Sequence, residues 1–265
     1  MGARLEPGSA RRGSRASWDS HRCGDGASRL EDDRRLRLWR RIVDGSRGGP
    51  VTLTQVCAVV LDATGVDGVA VTAKLEGTQR ETVCTTSQLA TDMEELAVTL
   101  GEGPAVDAFS EGPSLAADLA ARDCRTRWPV YAPTAVTAGV RGQFAFPLRL
   151  GGVGVGVMCL YRSEPGPLSR EQLADALVLT DTVLALLLDR SLSEQPAMDG
   201  RWSEQSGPQH PEVHQATGMI AVQLGVSAAV ALVRLRAYAF SHDRRLSDVA
   251  KDVVARRLRF GRSEP

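Results

Sequence analysis

The stretch that decides the fold is QFAFPLRL (143–150), followed by Gly151-Gly152 and then by VGVGVMCLY (153–161). Two strand-like runs joined by Gly-Gly predict a β-hairpin with a two-residue turn, because such turns need the positive φ angles that glycine adopts easily. The second run alternates glycine with valine. Simple alternation places its glycines on one face, where a helix or a ligand can lie close to the sheet.

The segments on both sides of this hairpin predict an α+β domain with an antiparallel sheet and flanking helices. Thr52 begins a helix that ends at Gly65, and Ser169 is placed as the N-cap of a long helix that closes the domain at about Arg190. The predicted helices span 29–44, 52–63, 93–100, 105–109, 129–138 and 170–190, and the predicted short strands span 68–75, 81–85 and 114–119.

The last part of the chain is helical by its apolar period. Pro211 is placed to start a first helix and Gly225 to stop it, while Ser227 and Ser247 are placed to cap two further helices. Three short helices bury little apolar surface. We therefore expect this module to be supported by oligomerisation or by the preceding domain.

Charge divides the 265 residues into parts with different tasks. Residues 1–47 carry twelve arginines and seven acids, 48–209 carry eleven basic and twenty acidic residues, and 210–265 carry nine basic and five acidic residues. An acidic body is a poor surface for nucleic acid, whereas a small basic module is suited to it. The predicted domains are a disordered basic tail (1–27), a folded body (28–190), a linker (191–209) and a helical module (210–265).

Composition and motifs argue against several function classes. No apolar run is long enough for a bilayer span, and five cysteines without a CxxC pair favour a reducing cytoplasm over a disulfide framework. All four histidines lie outside 47–209, and the chain has no GxxxxGK[ST] or GxSxG motif. We expect no enzyme activity, no metal, no cofactor and no membrane association. We interpret Cys124 as an ordinary cysteine, with a redox sensor as the alternative, because Arg122, Arg125 and Arg127 beside it would lower the pKa of its thiol.

The helical module carries a motif that resembles a known family. HQATGMIAVQLGVS (214–227), followed by Ala229, Ala231, Leu232, Leu235 and by LSDVA (246–250), closely resembles the ANTAR domain. The resemblance implies a three-helix module that binds paired hairpins in nascent RNA and acts as a transcription antiterminator. The residues we expect at the RNA are Ala216, Thr217, Gly218, Gln223, Arg234, Arg236, Lys251 and Arg256.

The module departs from the family pattern at two positions. Thr217 and Gln223 stand where many ANTAR domains have Lys and Arg, and each change removes a cation that could meet a phosphate. Two alternatives to RNA binding stay open. One is a helix-turn-helix-like regulator that binds DNA, and the other is a sensor that acts only through protein partners.

The body resembles a GAF sensor domain, and TLGEGP (99–104) with Asp107-Ala108 resembles GAF–ANTAR regulators of actinobacteria. This resemblance implies a domain that responds to a small molecule or another signal. We expect its pocket to be lined by Val69, Val71, Phe144, Phe146, Val155 and Val157. A heptad seam in the closing helix predicts a homodimer, alongside the alternative that the seam packs on the sheet; its residues are Leu173, Leu177, Thr180, Leu184 and Leu187.

Overall fold

The structure is a computed structural model that describes residues 24–46, 48–74, 81–192, 211–242 and 244–261. Residues 1–37 form one unit and residues 38–265 another. In the first unit only the beginning of helix α1 (Gly24–Ser46) is described. The expected tail and linker therefore lie mostly outside the described residues, although α1 begins four residues inside the range expected for the tail.

A five-stranded sheet with order β2-β1-β5-β4-β3 forms the centre of the larger unit, and all four strand pairs are antiparallel. The predicted hairpin is confirmed, because β4 and β5 pair from Gly142–Arg162 to Leu150–Val153. The strands predicted at 68–75 and 81–85 also pair with each other. The strands are β1 (Gly68–Ala73), β2 (Glu81–Thr85), β3 (Ser114–Ala116), β4 (Gly142–Leu150) and β5 (Val153–Arg162).

A β-bulge corrects the predicted faces of β5. Leu148 pairs with Gly156 and Arg149 with Gly154, which leaves Val155 as the extra residue. One extra residue reverses the alternation of side chains beyond it. Gly154 therefore lies against the side chain of Phe109. A Cβ on Gly156, in contrast, would collide with the carbonyl oxygen of Thr72. The glycines do not share one face.

Helices α2 (Leu53–Thr64) and α7 (Arg170–Leu192), with the second half of α1, cover one face of the sheet. Thr52 and Gln55 form a capping box at the start of α2, and Gly65 ends this helix in the left-handed conformation with φ 62°. Ser169 and Gln172 exchange the corresponding hydrogen bonds before α7. The predicted end of α2 at Gly65 and the predicted cap at Ser169 are thus confirmed, whereas Thr52, expected inside the helix, is its N-cap.

The other face is covered by α3 (Gln88–Leu100), α4 (Pro104–Glu111), α5 (Arg122–Arg127) and α6 (Tyr131–Thr137). Its core is rich in alanine, and the large side chains of Trp128, Tyr131 and Tyr161 fill it. Sequence analysis did not predict α5, because six residues of sequence RDCRTR have no apolar period. The helix expected from position 129 begins two residues later, at Tyr131.

The turn between α3 and α4 explains the GEGP part of the motif. Gly101 ends α3 with φ 70°, and Gly103 has φ 121° and lies close to the ring of Tyr131. A Cβ on Gly103 would lie 3.0 Å from that ring. The carboxylate of Glu102 accepts hydrogen bonds from the amides of Val130 (2.8 Å) and Tyr131 (2.6 Å), so it ties the turn to the start of α6.

Helices α8 (Pro211–Leu224), α9 (Ala228–Ser241) and α10 (Leu246–Val254) form the C-terminal module. Gly225, with φ 68°, follows α8, and Ser227 caps α9, as predicted. The prediction that Ser247 caps α10 is wrong: Arg245 occupies the N-cap position, and Ser247 is buried in the first turn. The side chain of Val98 from α3 packs against the core of this module.

Candidate functional site

The expected RNA-contacting residues of α8 differ in how accessible they are. Ala216 is fully buried in the core of the module, and the hydroxyl of Thr217 donates to the carbonyl of Val213 at 2.6 Å, so neither side chain reaches the surface. Gln223 accepts the amide of Phe260 at 3.0 Å and thereby holds the C-terminal segment to α8. Gly218 is exposed, and a Cβ there would meet nothing within 4 Å.

The expected cations also divide into two groups. Arg234 on α9 and Arg256 after α10 are exposed, and their side chains make no hydrogen bond or ion pair within the described part of the chain. Arg256 has a left-handed backbone with φ 59°. Lys251 instead lies 3.7 Å from Asp248 and 4.0 Å from Glu212, so acidic residues of the module already neutralise part of its charge.

Asp252 organises two further arginines beside these cations. Its carboxylate pairs with Arg244 at 2.7 Å and with Arg257 at 2.7 Å. The hydrogen bonds from Arg244 and then from Arg257 lower the pKa of Asp252, so the carboxylate stays charged. This arrangement fixes the two guanidinium groups in place near the end of α10.

An aromatic group lies next to these charges. The ring of His242 stacks on that of Tyr238, with centroids 3.9 Å apart and planes inclined by 16°, and Phe260 meets Tyr238 edge-on at 5.4 Å. His242 is exposed, whereas the other two rings are half-buried. Exposed rings beside cations are a surface on which an unpaired base can stack. Tyr238 and His242 are four residues apart, whereas Phe260 is distant in sequence, so its contact with them follows only from the fold.

The remaining expected cation, Arg236, lies at the contact between the module and α3. Its guanidinium is so close to Gly101 that a Cβ there would lie 2.7 Å from Nη1. Arg245 lies at the same contact, where it pairs with Asp92 at 2.9 Å and with Glu95 at 3.3 Å. A cavity of about 300 Å³ adjoins these groups, lined by residues of α3, α6, α9 and the loop before α10.

Buried polar groups lie on the alanine-rich face of the sheet. The hydroxyl of Tyr161 donates to the carboxylate of Glu94 at 2.5 Å, and that of Tyr131 donates to Oε1 of Gln143 at 2.8 Å. The Nε2 atom of Gln143 is buried and has no hydrogen-bond partner among the described residues. Burial is the main cause that raises the pKa of both tyrosines, which therefore remain neutral donors.

The predicted sensor pocket is not one surface. Val69, Val71, Phe144 and Phe146 are buried in the core under α2 and α7, and Val155 packs at the edge of the same core. Val157 faces the opposite side, towards α3 to α6. The reason is the strand register: Phe146 pairs with Met158, so Val157 lies on the opposite face, and the bulge at Val155 returns Val155 to the face of Phe146. The polar groups described above lie on the side of Val157.

A second cavity, of about 460 Å³, opens between α4, β3 and α5. Arg127 spans it by pairing with Asp107 at 2.6 Å and with Glu111 at 2.5 Å. The thiol of Cys124, which also lines this cavity, does not have the lowered pKa that the redox-sensor alternative requires. Burial raises the pKa of its thiol, and the nearby carboxylates of Asp123 and Asp118 raise it further.

The heptad seam of α7 is mostly used inside the domain. Thr180 and Leu187 are buried, and Leu173 and Leu184 pack partly against the core under this helix. Leu177 alone among the five is exposed, at 46%. Four of the five seam residues therefore pack within the domain, and Leu177 is the exposed member of the seam.

The described residues contain neither a metal-ligand cluster nor a single membrane-spanning helix. No group of three or more His, Cys, Asp or Glu side chains is placed to hold a metal ion there. In the same ranges no single helix has the length and apolar composition of a membrane span, although the bent pair Glu212–Leu224 and Ala228–Ser241 meets that test by length and composition together.

Comparison with known proteins agrees with the two-part organisation. A GAF domain model matches residues 50–186, and an ANTAR domain model matches residues 209–254. No significant match was found among curated proteins.

Among solved structures, the chain is similar to the GAF domain of an Acinetobacter phosphoenolpyruvate-protein phosphotransferase (14% identity, TM-score 0.46, covering 61% of this chain and 96% of that one). It is also similar to the GAF domain of the Coxiella burnetii phosphoenolpyruvate-protein phosphotransferase (14% identity, TM-score 0.40, covering 59% of this chain and 94% of that one). A third similar structure is Escherichia coli SdiA (14% identity, TM-score 0.44, covering 86% of this chain and 97% of that one). The GAF model covers more than half of the chain and the ANTAR model follows it directly. The chain therefore belongs to the GAF domain family, and it is a GAF and ANTAR domain-containing regulator.

Proposed function

We propose that this regulator binds paired hairpins in nascent RNA through its ANTAR module and thereby prevents transcription termination. The observation that carries the proposal is Gly218. A glycine inside a helix costs about 0.5–1 kcal/mol relative to alanine. Because a Cβ at this position would touch nothing within the described residues, their packing gives no reason for the glycine. Close approach of a partner does give one.

The charges and rings of the module support RNA as that partner. Arg234 and Arg256 are exposed cations whose side chains are not used within the described part of the chain, and phosphate contacts supply most of the affinity of such complexes. The exposed ring of His242 offers a surface for an unpaired base, as found in hairpin loops. Duplex DNA presents no such base, so the DNA-binding alternative leaves this ring unexplained.

The same proposal assigns the GAF domain the role of sensor for a small molecule or another signal, without enzyme turnover, cofactor or metal, in the cytoplasm. The buried amide nitrogen of Gln143 supports a polar signal on the alanine-rich face, since a buried donor needs an acceptor. We also propose a homodimer, which would bring two ANTAR modules to two hairpins and raise apparent affinity. Exposed Leu177, with exposed Trp39 and Val43 of α1, supplies apolar surface for it.

The test is a binding titration of the full chain with a two-hairpin RNA, with duplex DNA as competitor and with salt varied. Arg234→Ala with Arg256→Ala should weaken RNA binding and reduce the salt slope by about one for each phosphate that is no longer neutralised. The matched control is Arg122→Ala with Arg125→Ala, which removes two exposed arginines of the GAF domain. Equal retention of RNA and DNA, or equal losses in both double variants, would contradict the proposal.

A further inference from the structure

We propose that the outer face of α3 and the RNA backbone compete for the same cations of the ANTAR module. The inference rests on the proposed function, since it describes how RNA binding at that module is limited. In the structure, α3 presents two carboxylates to a cation of the module. A carboxylate on a guanidinium occupies the position that a phosphate oxygen would take.

Arg245 is the cation held most directly. Its Nη2 atom lies 2.9 Å from Oδ1 of Asp92, and its Nε atom lies 3.3 Å from Oε2 of Glu95. The side chain of Glu95 is only 18% exposed, so this pair is better shielded from solvent than an ordinary surface pair. Oδ1 of Asp92 also accepts a hydrogen bond from Gln88 at 3.0 Å, which fixes the carboxylate towards the module.

Arg236 is held at the other end of the same contact. Gly101 ends α3 without a side chain, and the guanidinium of Arg236 occupies the space that a Cβ would need. One turn earlier, Val98 packs against the core of the ANTAR module. Since polar and apolar contacts occur on the same helix, α3 holds the module through one continuous surface rather than through an isolated ion pair.

Helix α3 also connects this surface with the interior of the sensor. Glu94 faces inward and accepts the hydroxyl of Tyr161, whereas Glu95, the next residue, faces Arg245. A rotation or shift of α3 that accommodates a ligand beside Glu94 would therefore move both carboxylates relative to the module. The proposed signal and the proposed output thus act on opposite sides of one helix.

The quantitative consequence is a lower apparent affinity for RNA. If only the molecules with a released module bind RNA with all its cations, the apparent affinity equals the intrinsic affinity multiplied by the fraction of such molecules. The two ion pairs of Arg245 lower the apparent affinity for RNA by a factor of about three to ten. RNA and α3 exclude each other, so bound RNA should in turn release the module from α3.

The experiment uses the full chain with Asp92→Asn and Glu95→Gln combined, which keep the size of both side chains and remove their charge. The control combines Asp123→Asn with Glu164→Gln, two exposed acids elsewhere in the GAF domain, so that the change in net charge is the same. Two quantities are measured: affinity for the two-hairpin RNA, and amide hydrogen exchange of residues 235–249, which reports release of the module without RNA.

We expect the first pair of changes to accelerate exchange and to tighten RNA binding about three- to tenfold, with the control unchanged. Faster exchange with unchanged RNA affinity would overturn the competition while leaving RNA binding intact. Unchanged exchange, or equal tightening in the control, would overturn it as well. If neither the parent chain nor any variant binds RNA, the proposed function itself fails, and the competition fails with it.

Discussion

The hydroxyl of Tyr161 donates a 2.5 Å hydrogen bond to the carboxylate of Glu94, and both side chains are almost completely buried in the GAF domain. A carboxylate in this position depends on its hydrogen-bond partners, because burial removes the water that would otherwise solvate it. The bond joins the central strand β5 to helix α3, the helix that contacts the ANTAR module.

Tyr161→Phe is expected to lower the free energy of unfolding of the GAF domain by about 2–3 kcal/mol, since it removes a hydrogen bond to a buried carboxylate. Tyr131→Phe is the matched change and should cost only about 1 kcal/mol, because the group it leaves behind is a neutral amide. Urea denaturation of both variants measures the difference. Equal costs would show that Glu94 does not depend on the hydroxyl of Tyr161.

Gly103→Ala is expected to destabilise the GAF domain by about 1–3 kcal/mol, because the residue has φ 121° and a Cβ would press on the ring of Tyr131. Gly152→Ala serves as the control, since a Cβ there meets nothing within 4 Å. Thermal unfolding followed by near-ultraviolet circular dichroism compares the two. A similar melting temperature for both variants would show that neither the backbone φ nor the ring of Tyr131 requires glycine at position 103.

Asp118 should titrate below its usual range. Arg141 donates two hydrogen bonds of 3.0 Å to its carboxylate, and these lower the pKa of Asp118. Since the folded pKa lies below the unfolded value of about 3.9, the pair contributes stability above that pH and loses it as pH falls through the folded pKa. Arg141→Gln should return the pKa of Asp118 towards its usual value in an NMR titration. Arg125→Gln should not change it.

Gly218→Ala is expected to separate folding from binding. The added methyl group meets nothing within the described residues, so the free energy of unfolding of the ANTAR module should rise by about 0.5–1 kcal/mol. Affinity for the two-hairpin RNA should fall, because the partner can no longer approach the helix as closely. Gly225→Ala is a useful contrast, since its φ of 68° predicts destabilisation instead. A variant of Gly218 that binds RNA normally would show that this face is not the contact surface.

The elements that sequence analysis predicted well are those with local signals. The Gly151-Gly152 hairpin, the cap at Ser169 and the stop at Gly225 each depend on residues close in sequence. The faces of β5 could not be predicted, because the bulge at Val155 follows from pairing with β4 and from the close approach of the Thr72 carbonyl to Gly156. The predicted pocket failed because the register, in which Phe146 pairs with Met158, places Val157 on the opposite face.

The candidate site was predictable only as far as residue types allow. The ANTAR motif identified the module, but whether Ala216 is buried and Gly218 exposed depends on how three helices pack. The pair between Arg245 and Asp92 joins residues 153 positions apart, and no local pattern signals it. The aromatic stack of Tyr238 and His242 has the spacing of one helical turn, so a search for aromatic pairs at i and i+4 could have found it.

The strand order also determines when each part of the chain can fold. Strand β1 lies between β2 and β5. It pairs with β5 from Gly68, opposite Tyr161, to Ala73, opposite Gly156. The centre of the sheet therefore stays incomplete during synthesis until residue 162 has left the ribosome, whereas α8 to α10 pack within the last 55 residues. Contacts between distant residues slow folding. The ANTAR module, although made last, should acquire its structure in a shorter time than the sheet that precedes it.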